Sequence, residues 1–260
     1  MLKYKIPIFL VVLLLAMPQA NAFWGFATKT TYKITKISKS TKALPADEII
    51  RLSKISDEAK GTVMVGRELS KLGLPNEVLE DAIMRIAIYQ KKVTRIEAEG
   101  MFVRLNGTPG FGTTLRKVIG NNAVGTAGHL NELRIADTAS MHRFKVLKIG
   151  ASFDDGLKKA PTDIDIVLQK GEKYFAIEAK NYASTTKIPM DMFRADLDTL
   201  VMYKQKNPNN IIPIFAITNK PNDTRYLIIL KHETEKRGVQ LVIGSPQGVI
   251  EQVKLLGEIM

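Results

Sequence analysis

Cysteine is missing from all 260 residues, tryptophan occurs once and histidine three times. Without a thiol the chain builds no disulfide scaffold, zinc finger, iron–sulfur cluster or cysteine nucleophile. Long apolar runs are also scarce. The N-terminal run, Ile6 to Met17, falls well short of the roughly 20 residues a membrane-spanning helix needs, and Pro7 lies inside it. A multi-span membrane protein is therefore excluded. The glycine-rich stretch 107–112 lacks the Gly-Lys-Ser/Thr ending of a phosphate-cradling loop, so it reads as a connector. No internal repeat of useful period is visible, and no aromatic ladder for stacking single strands. Hydrophobic residues at 45% and charged residues at 25% are ordinary for a globular protein, which excludes a disordered tail and a collagen-like fibre.

What the chain has in excess is positive charge, a formal +12. That surplus points toward polyanions, either nucleic acid or an anionic membrane face, and is silent on fold. It is uneven: residues 23–124 carry +7 and residues 125–260 carry +3. Lys3 and Lys5, the apolar run and the small-residue exit Ala20-Asn21-Ala22 are the three parts of a secretory signal over residues 1–22. Cleavage after Ala22 is expected, giving an exported chain, periplasmic or secreted. Residues 23–45 hold lysines at 29, 33, 36, 39 and 42 and no acid, which predicts a basic, flexible arm with a salt-sensitive hold on phosphate. Residues 46–124 read as a helical region, with Ile49, Ile50, Leu52 and Ile55, then Val78, Leu79, Ile83, Ile86 and Ile88, at helical spacing. Pro75-Asn76 opens its second helical stretch.

Residues 125–260 read as a mixed α/β domain. Helical spacing covers 130–142, strands are expected over 144–150, 162–169 and 173–180, and a helix over 189–206. A nearly all-apolar run at 211–218 predicts a buried strand. A helix over 223–237 ends at Gly238, a last strand covers 239–244, and a terminal helix follows.

Two of these strands hold the informative residues. One reads Thr162-Asp163-Ile164-Asp165-Ile166-Val167-Leu168, and the other Tyr174-Phe175-Ala176-Ile177-Glu178-Ala179-Lys180. Side chains alternate along a strand, so Asp163 and Asp165 share a face, as do Glu178 and Lys180. The short turn 170–173 makes the pair a hairpin. Three carboxylates and one ammonium then gather on strands otherwise too apolar to welcome charge. Like charges brought together out of water are costly unless a cation joins them. Oxygen donors of this kind suit Mg²⁺, or Mn²⁺, and such a cluster is suited to hydrolysing a phosphodiester.

These residues resemble the PD-(D/E)xK, or restriction-endonuclease-like, nucleases, whose pattern is an acid starting one strand and Glu/Asp-x-Lys on the paired strand. Asp165 matches the first element and Glu178-Ala179-Lys180 the second. Glu132, in a helix upstream, matches the glutamate that often precedes this core. The chain is most similar to the Holliday-junction-resolvase and Mrr-like branch, including exported toxin nuclease domains, over about residues 125–245. The resemblance implies an αβββαβ core. It implies metal held by Asp165, Glu178 and the carbonyl of Ala179, with Glu132 assisting and Lys180 positioning the attacking water. It further implies that Asn181, Lys187 and Arg194 contact nucleic acid. Two departures stand. Thr162 separates Pro161 from Asp163, so either aspartate is a candidate ligand, Asp165 favoured and Asp163 auxiliary. The glutamine–tyrosine pair that some relatives carry on the following helix is here Thr199 and Tyr203.

The expectation is thus an exported Mg²⁺-dependent endonuclease acting on nucleic acid, DNA favoured over RNA, with no small-molecule cofactor. A homodimer and an envelope or delivery partner bound through residues 46–124 are both allowed. The rival expectation is a catalytically silent module at the cell envelope that binds nucleic acid or protein. His129, three residues before Glu132, is a candidate ligand or base set against an ordinary exposed histidine; His142 and His232 have no metal-like spacing.

Overall fold

Helical spacing of apolar residues gives way to strand alternation near position 144, and the architecture divides there. A computed structural model describes residues 44–56, 75–153, 162–207 and 210–259, with positions 68, 71 and 73 besides. The expected export signal over residues 1–22, positions 23–43 of the expected basic arm, and Pro161 lie outside the described residues. Among the described residues the first helices are α1 (Ala46–Ser56), α2 (Asn76–Tyr89), α3 (Arg95–Leu105) and α4 (Phe111–Gly120). Then follow α5 (Ala123–Met141), β1 (Lys145–Phe153), β2 (Thr162–Lys170), β3 (Lys173–Lys180) and α6 (Met190–Lys206). The chain closes with β4 (Ile211–Ile217), α7 (Thr224–Lys236), β5 (Gln240–Ile243) and α8 (Pro246–Ile259).

Side chains that reach back to backbone N–H groups set several helix starts. Thr94 accepts from Glu97 N, Asn122 from Gly125 N, and Asp223 from Tyr226 N, each satisfying a donor that has no partner within its helix. The Asn122 cap explains why α5 begins at Ala123, seven residues before helical spacing becomes visible in the sequence and ahead of the division drawn at 124/125. Gly125 and Gly128 therefore lie inside a helix. The glycine stretch 107–112 likewise corrects the reading of a plain connector. Phe111 opens α4, with Phe111, Leu115, Val118 and Ile119 buried on one stripe. Gly110 turns the chain at φ +89°, and a Cβ there would stand 1.7 Å from the carbonyl oxygen of Ile149. Only glycine lets this turn lie against β1, where Ile149 N–H donates to Pro109 O at 2.9 Å.

The sheet has five strands in the order β1-β2-β3-β4-β5, antiparallel from β1 to β3 and parallel from β3 to β5. This is an α/β architecture with a mixed sheet flanked by helices. On one face, Phe193, Leu197 and Leu200 of α6 and Leu230 of α7 bury against Val167, Ala176 and Phe215. Phe193 meets Phe215 edge to face at 4.8 Å. The other face receives α5 and α8, with Phe144 edge-on to Phe175 at 5.6 Å and Gly257 of α8 close above Phe175. Residues Leu44–Met260 form one compact unit. Helices α3 and α4 pack on α5, α2 packs on α4, and the bidentate Arg104–Asp137 pair ties α3 to α5 at 2.5 and 2.8 Å. Among the described residues, no helix is long and apolar enough to cross a membrane.

Candidate functional site

The β2–β3 ladder runs from Lys170↔Lys173 to Ile166↔Ile177. One step further would set Asp165 opposite Glu178, but the backbone pairing ends. Asp165 Oδ2 instead accepts the Ala179 N–H at 2.8 Å, so a side chain takes the place of a backbone acceptor and the strands part. A strand residue sends its N–H and C=O toward the same neighbour. Lys180 O is taken on the other side by Thr218 N–H at 3.0 Å, so the carbonyl of Ala179 faces the gap beside Asp165.

Charge converges on that gap. Glu178 is only 7% exposed although it ends an apolar strand. Lys180 Nζ donates to Glu178 Oε1 at 2.6 Å and lies 2.9 Å from Asp196 Oδ2 of α6. From α5, Glu132 presents a mostly buried carboxylate whose Oε1 is 2.9 Å from His129 Nδ1. Its neighbour Asn131, buried, accepts from Thr218 Oγ1 at 3.0 Å and so fastens α5 to the end of β4. The loop after β3 is fixed on its far side, where Tyr226 OH accepts from Ile188 N–H at 2.8 Å and donates to Ile188 O at 3.0 Å.

The electrostatics follow from burial plus an excess of acid. Burial pushes the Asp165 carboxyl well above the usual carboxylate range, and the charges of Glu178 and Glu132 push it the same way. The Lys180 ammonium and the Ala179 N–H oppose that rise without cancelling it. Glu178 is raised to about 7, first by burial, with Lys180 pulling it down while Asp196 and Glu132 push it up. Burial by itself would depress Lys180; Glu178, Asp196 and Asp165 overcome it and raise the ammonium, which stays charged at neutral pH. Lys180 pairs directly with Glu178 and Asp196 and also feels the charge of Asp165, while Glu132 pairs with His129.

Of the residues singled out from sequence, Asp165, Glu178, Ala179 and Lys180 therefore come together at the parting of β2 and β3, while Glu132, paired with His129, acts on Asp165 and Glu178 through its charge from α5. Asp163 is solvent-exposed at the start of β2. Asn181 donates to Ala127 O at 3.2 Å, joining the end of β3 to the first turns of α5. Lys187 and Arg194 are held in surface ion pairs, with Asp223 at 2.7 Å and Glu233 at 3.0 Å. Thr199 is buried, and Tyr203 lies edge to face with Phe153 at 5.1 Å, so both serve packing. Away from the site, His142 Nε2 lies 3.0 Å from the Gln247 amide.

Asp196 went unread in the sequence. Its signal was available: it sits three residues after Phe193 and four before Leu200, at the margin of the stripe α6 buries. A carboxylate there faces a partner rather than open water.

Among the described residues, no three carboxylate or imidazole groups form a ready-made cation cage. Lys180 spans Glu178 and Asp196 instead. The donor chemistry nevertheless fits a hard divalent ion: oxygen donors only, a carboxyl raised by its acidic neighbours, and a backbone carbonyl facing the same gap. Comparison of the chain with protein-family models, with curated proteins and with solved structures finds no match.

Proposed function

We propose that this chain is a metal-dependent phosphodiester hydrolase of the PD-(D/E)xK, restriction-endonuclease-like kind, exported from the cell and acting on nucleic acid, with DNA favoured over RNA. One observation carries the reading: Asp165, Glu178 and Lys180 meet where β2 parts from β3, on strands otherwise buried and apolar. The element order α5-β1-β2-β3-α6-β4 supports it.

Asp165 and Glu178 would hold Mg²⁺ or Mn²⁺ together with the carbonyl of Ala179, and Glu132 would assist from α5. A divalent ion there supplies a Lewis acid for a phosphoryl oxygen and acidifies bound water. The chain's own groups do the rest. Lys180 keeps its proton, so it donates to the attacking water and to the charge that builds on the phosphoryl oxygens. The Ala179 N–H fixes the rotamer of Asp165. His129 fixes Glu132, and the buried neighbours Ile164, Ile166 and Ile177 keep bulk water from weakening these contacts.

Incubating the protein with plasmid, single-stranded DNA and tRNA, with Mg²⁺ or Mn²⁺, tests this reading. Cleavage should require the ion and should fall by roughly 10²-fold or more in Glu178→Ala and Lys180→Ala. Full activity in both variants sinks it. A second reading, a silent module that binds nucleic acid or protein, is favoured by the Lys180 bridge, which satisfies Glu178 and Asp196 without a metal. Retention of DNA without cleavage under every divalent ion would select it.

A further inference from the structure

Asp196 is the acid that motif spacing does not reach. It comes from α6, across the sheet face from β3, and lies 2.9 Å from Lys180 Nζ, while the same ammonium is 2.6 Å from Glu178 Oε1. A flexible four-carbon amine beside Glu178 has two choices. It can settle fully on that carboxylate, or it can be shared with a second anion. With Asp196 present it is shared. The helix holds Asp196 in place: Phe193 and Leu197 on either side of it are fully buried against the sheet, and Arg237 grips Asp198 at 2.7 Å one position beyond Leu197. The carboxylate therefore sits on a rigid scaffold rather than on a mobile loop.

We propose that Asp196 is a positioning residue: by sharing Lys180, which also donates to Glu178 at 2.6 Å, it keeps the ammonium from committing wholly to that carboxylate, and so preserves Glu178 as a ligand for a divalent cation. This rests on the metal-binding reading of the site. A lysine fully committed to Glu178 competes with a metal ion for the same oxygens, since both are cations seeking one carboxylate. Loss of Asp196 has two consequences of the same sign. The ammonium collapses onto Glu178, and one attractive negative charge disappears. Only the first depends on Lys180, which makes the proposal separable from a plain field effect.

The test is titration of the metal-free full chain with MgCl₂ and MnCl₂ by calorimetry, in wild type, Asp196→Asn, Lys180→Met and the double variant. The dissociation constant should rise roughly fivefold or more in Asp196→Asn, and the same substitution should change it less than about twofold where Lys180 is already Met. Asp196→Glu should stay within roughly twofold of wild type, and it carries the test should the Asn variant not fold. Equal loss in both lysine backgrounds overturns the proposal and makes Asp196 a ligand or a distant charge. Wild-type affinity in Asp196→Asn also overturns it. A wild-type chain that binds neither ion sinks the metal reading itself, and a binding chain with an inert Asp196 sinks only the positioning role.

Discussion

Helix α6 carries two charge clusters on opposite flanks, and they behave in opposite ways. Toward β3, Asp196 joins Glu178 and Asp165 around one lysine, the charge of Glu132 adds to theirs, and Glu178 is raised to about 7. Toward α7, Arg194 and Asp198 join Glu233 and Arg237, and Glu233 is lowered to about 2 by hydrogen bonds from the two guanidinium groups. Both glutamates have the same ordinary value of 4.5. Their side chains are similarly shielded from solvent, 10% and 14% exposed, so the ratio of acids to cations around each separates them. The balanced cluster is an ordinary brace between helices, whereas the acid-rich one is held together against its own repulsion. Carboxyls perturbed by burial and by like charge in this way are enriched at functional sites.

The strongest way to break this contrast is to remove Lys180. On the proposed nuclease reading, Lys180→Ala should lower the initial rate of plasmid cleavage by roughly 10²–10³-fold, while Arg194→Ala should leave it nearly intact. Equal losses in the two would erase the distinction between the flanks. Next in size is the scaffold that brings α4 against the sheet. Gly110→Ala forces a Cβ into the carbonyl of Ile149 at a positive φ and should cost ~3 kcal/mol in denaturant unfolding.

Titration sharpens the comparison further. The unfolded Glu178 side chain loses its proton near 4.5 and the folded one near 7, so between those values the folded state binds more protons. Its contribution is fully present below about 4.5 and is lost as pH rises through about 7. Glu178→Gln should therefore stabilise the metal-free protein by ~1–3 kcal/mol at pH about 8 and flatten the stability curve between pH about 5 and 8. Thermal melts across that range, with and without EDTA, measure it; a variant as pH-dependent as wild type would refute the repulsion. The opposite slope belongs to Glu233, whose contribution holds above about 4.5 and fades as pH falls through about 2. The smallest effect is expected here: Glu233→Gln should shift the Tm at neutral pH by less than roughly 3 °C, and less still at high salt.

Much of the sheet was legible because alternation and apolar runs are local properties. The Asp165, Glu178 and Lys180 spacing was readable for the same reason, and β3 falls over the span expected of it. Helix α4 was not legible. Glycines at 107, 110 and 112 obscure its start, and the need for Gly110 arises only from the nearness of Ile149. Asp196 was missed because nothing in its local sequence names Lys180 as its neighbour. The places of Lys187 and Arg194 were also hidden, since their partners Asp223 and Glu233 lie 36 and 39 positions further along the chain.

The sequence by itself determined that Glu178 and Lys180 leave β3 on one side and that Ile177 and Ala179 leave on the other, because tetrahedral carbon and an extended backbone allow nothing else. It also determined the absence of thiol chemistry and the excess of positive charge. Only the tertiary structure decided that Asp165 would meet the Ala179 N–H, that Glu132 would arrive from one helix and Asp196 from another, and that Glu178 and Asp196 would share one ammonium. Those distances depend on how helices seat on the sheet, and that seating is set by the summed packing of residues far apart in the chain.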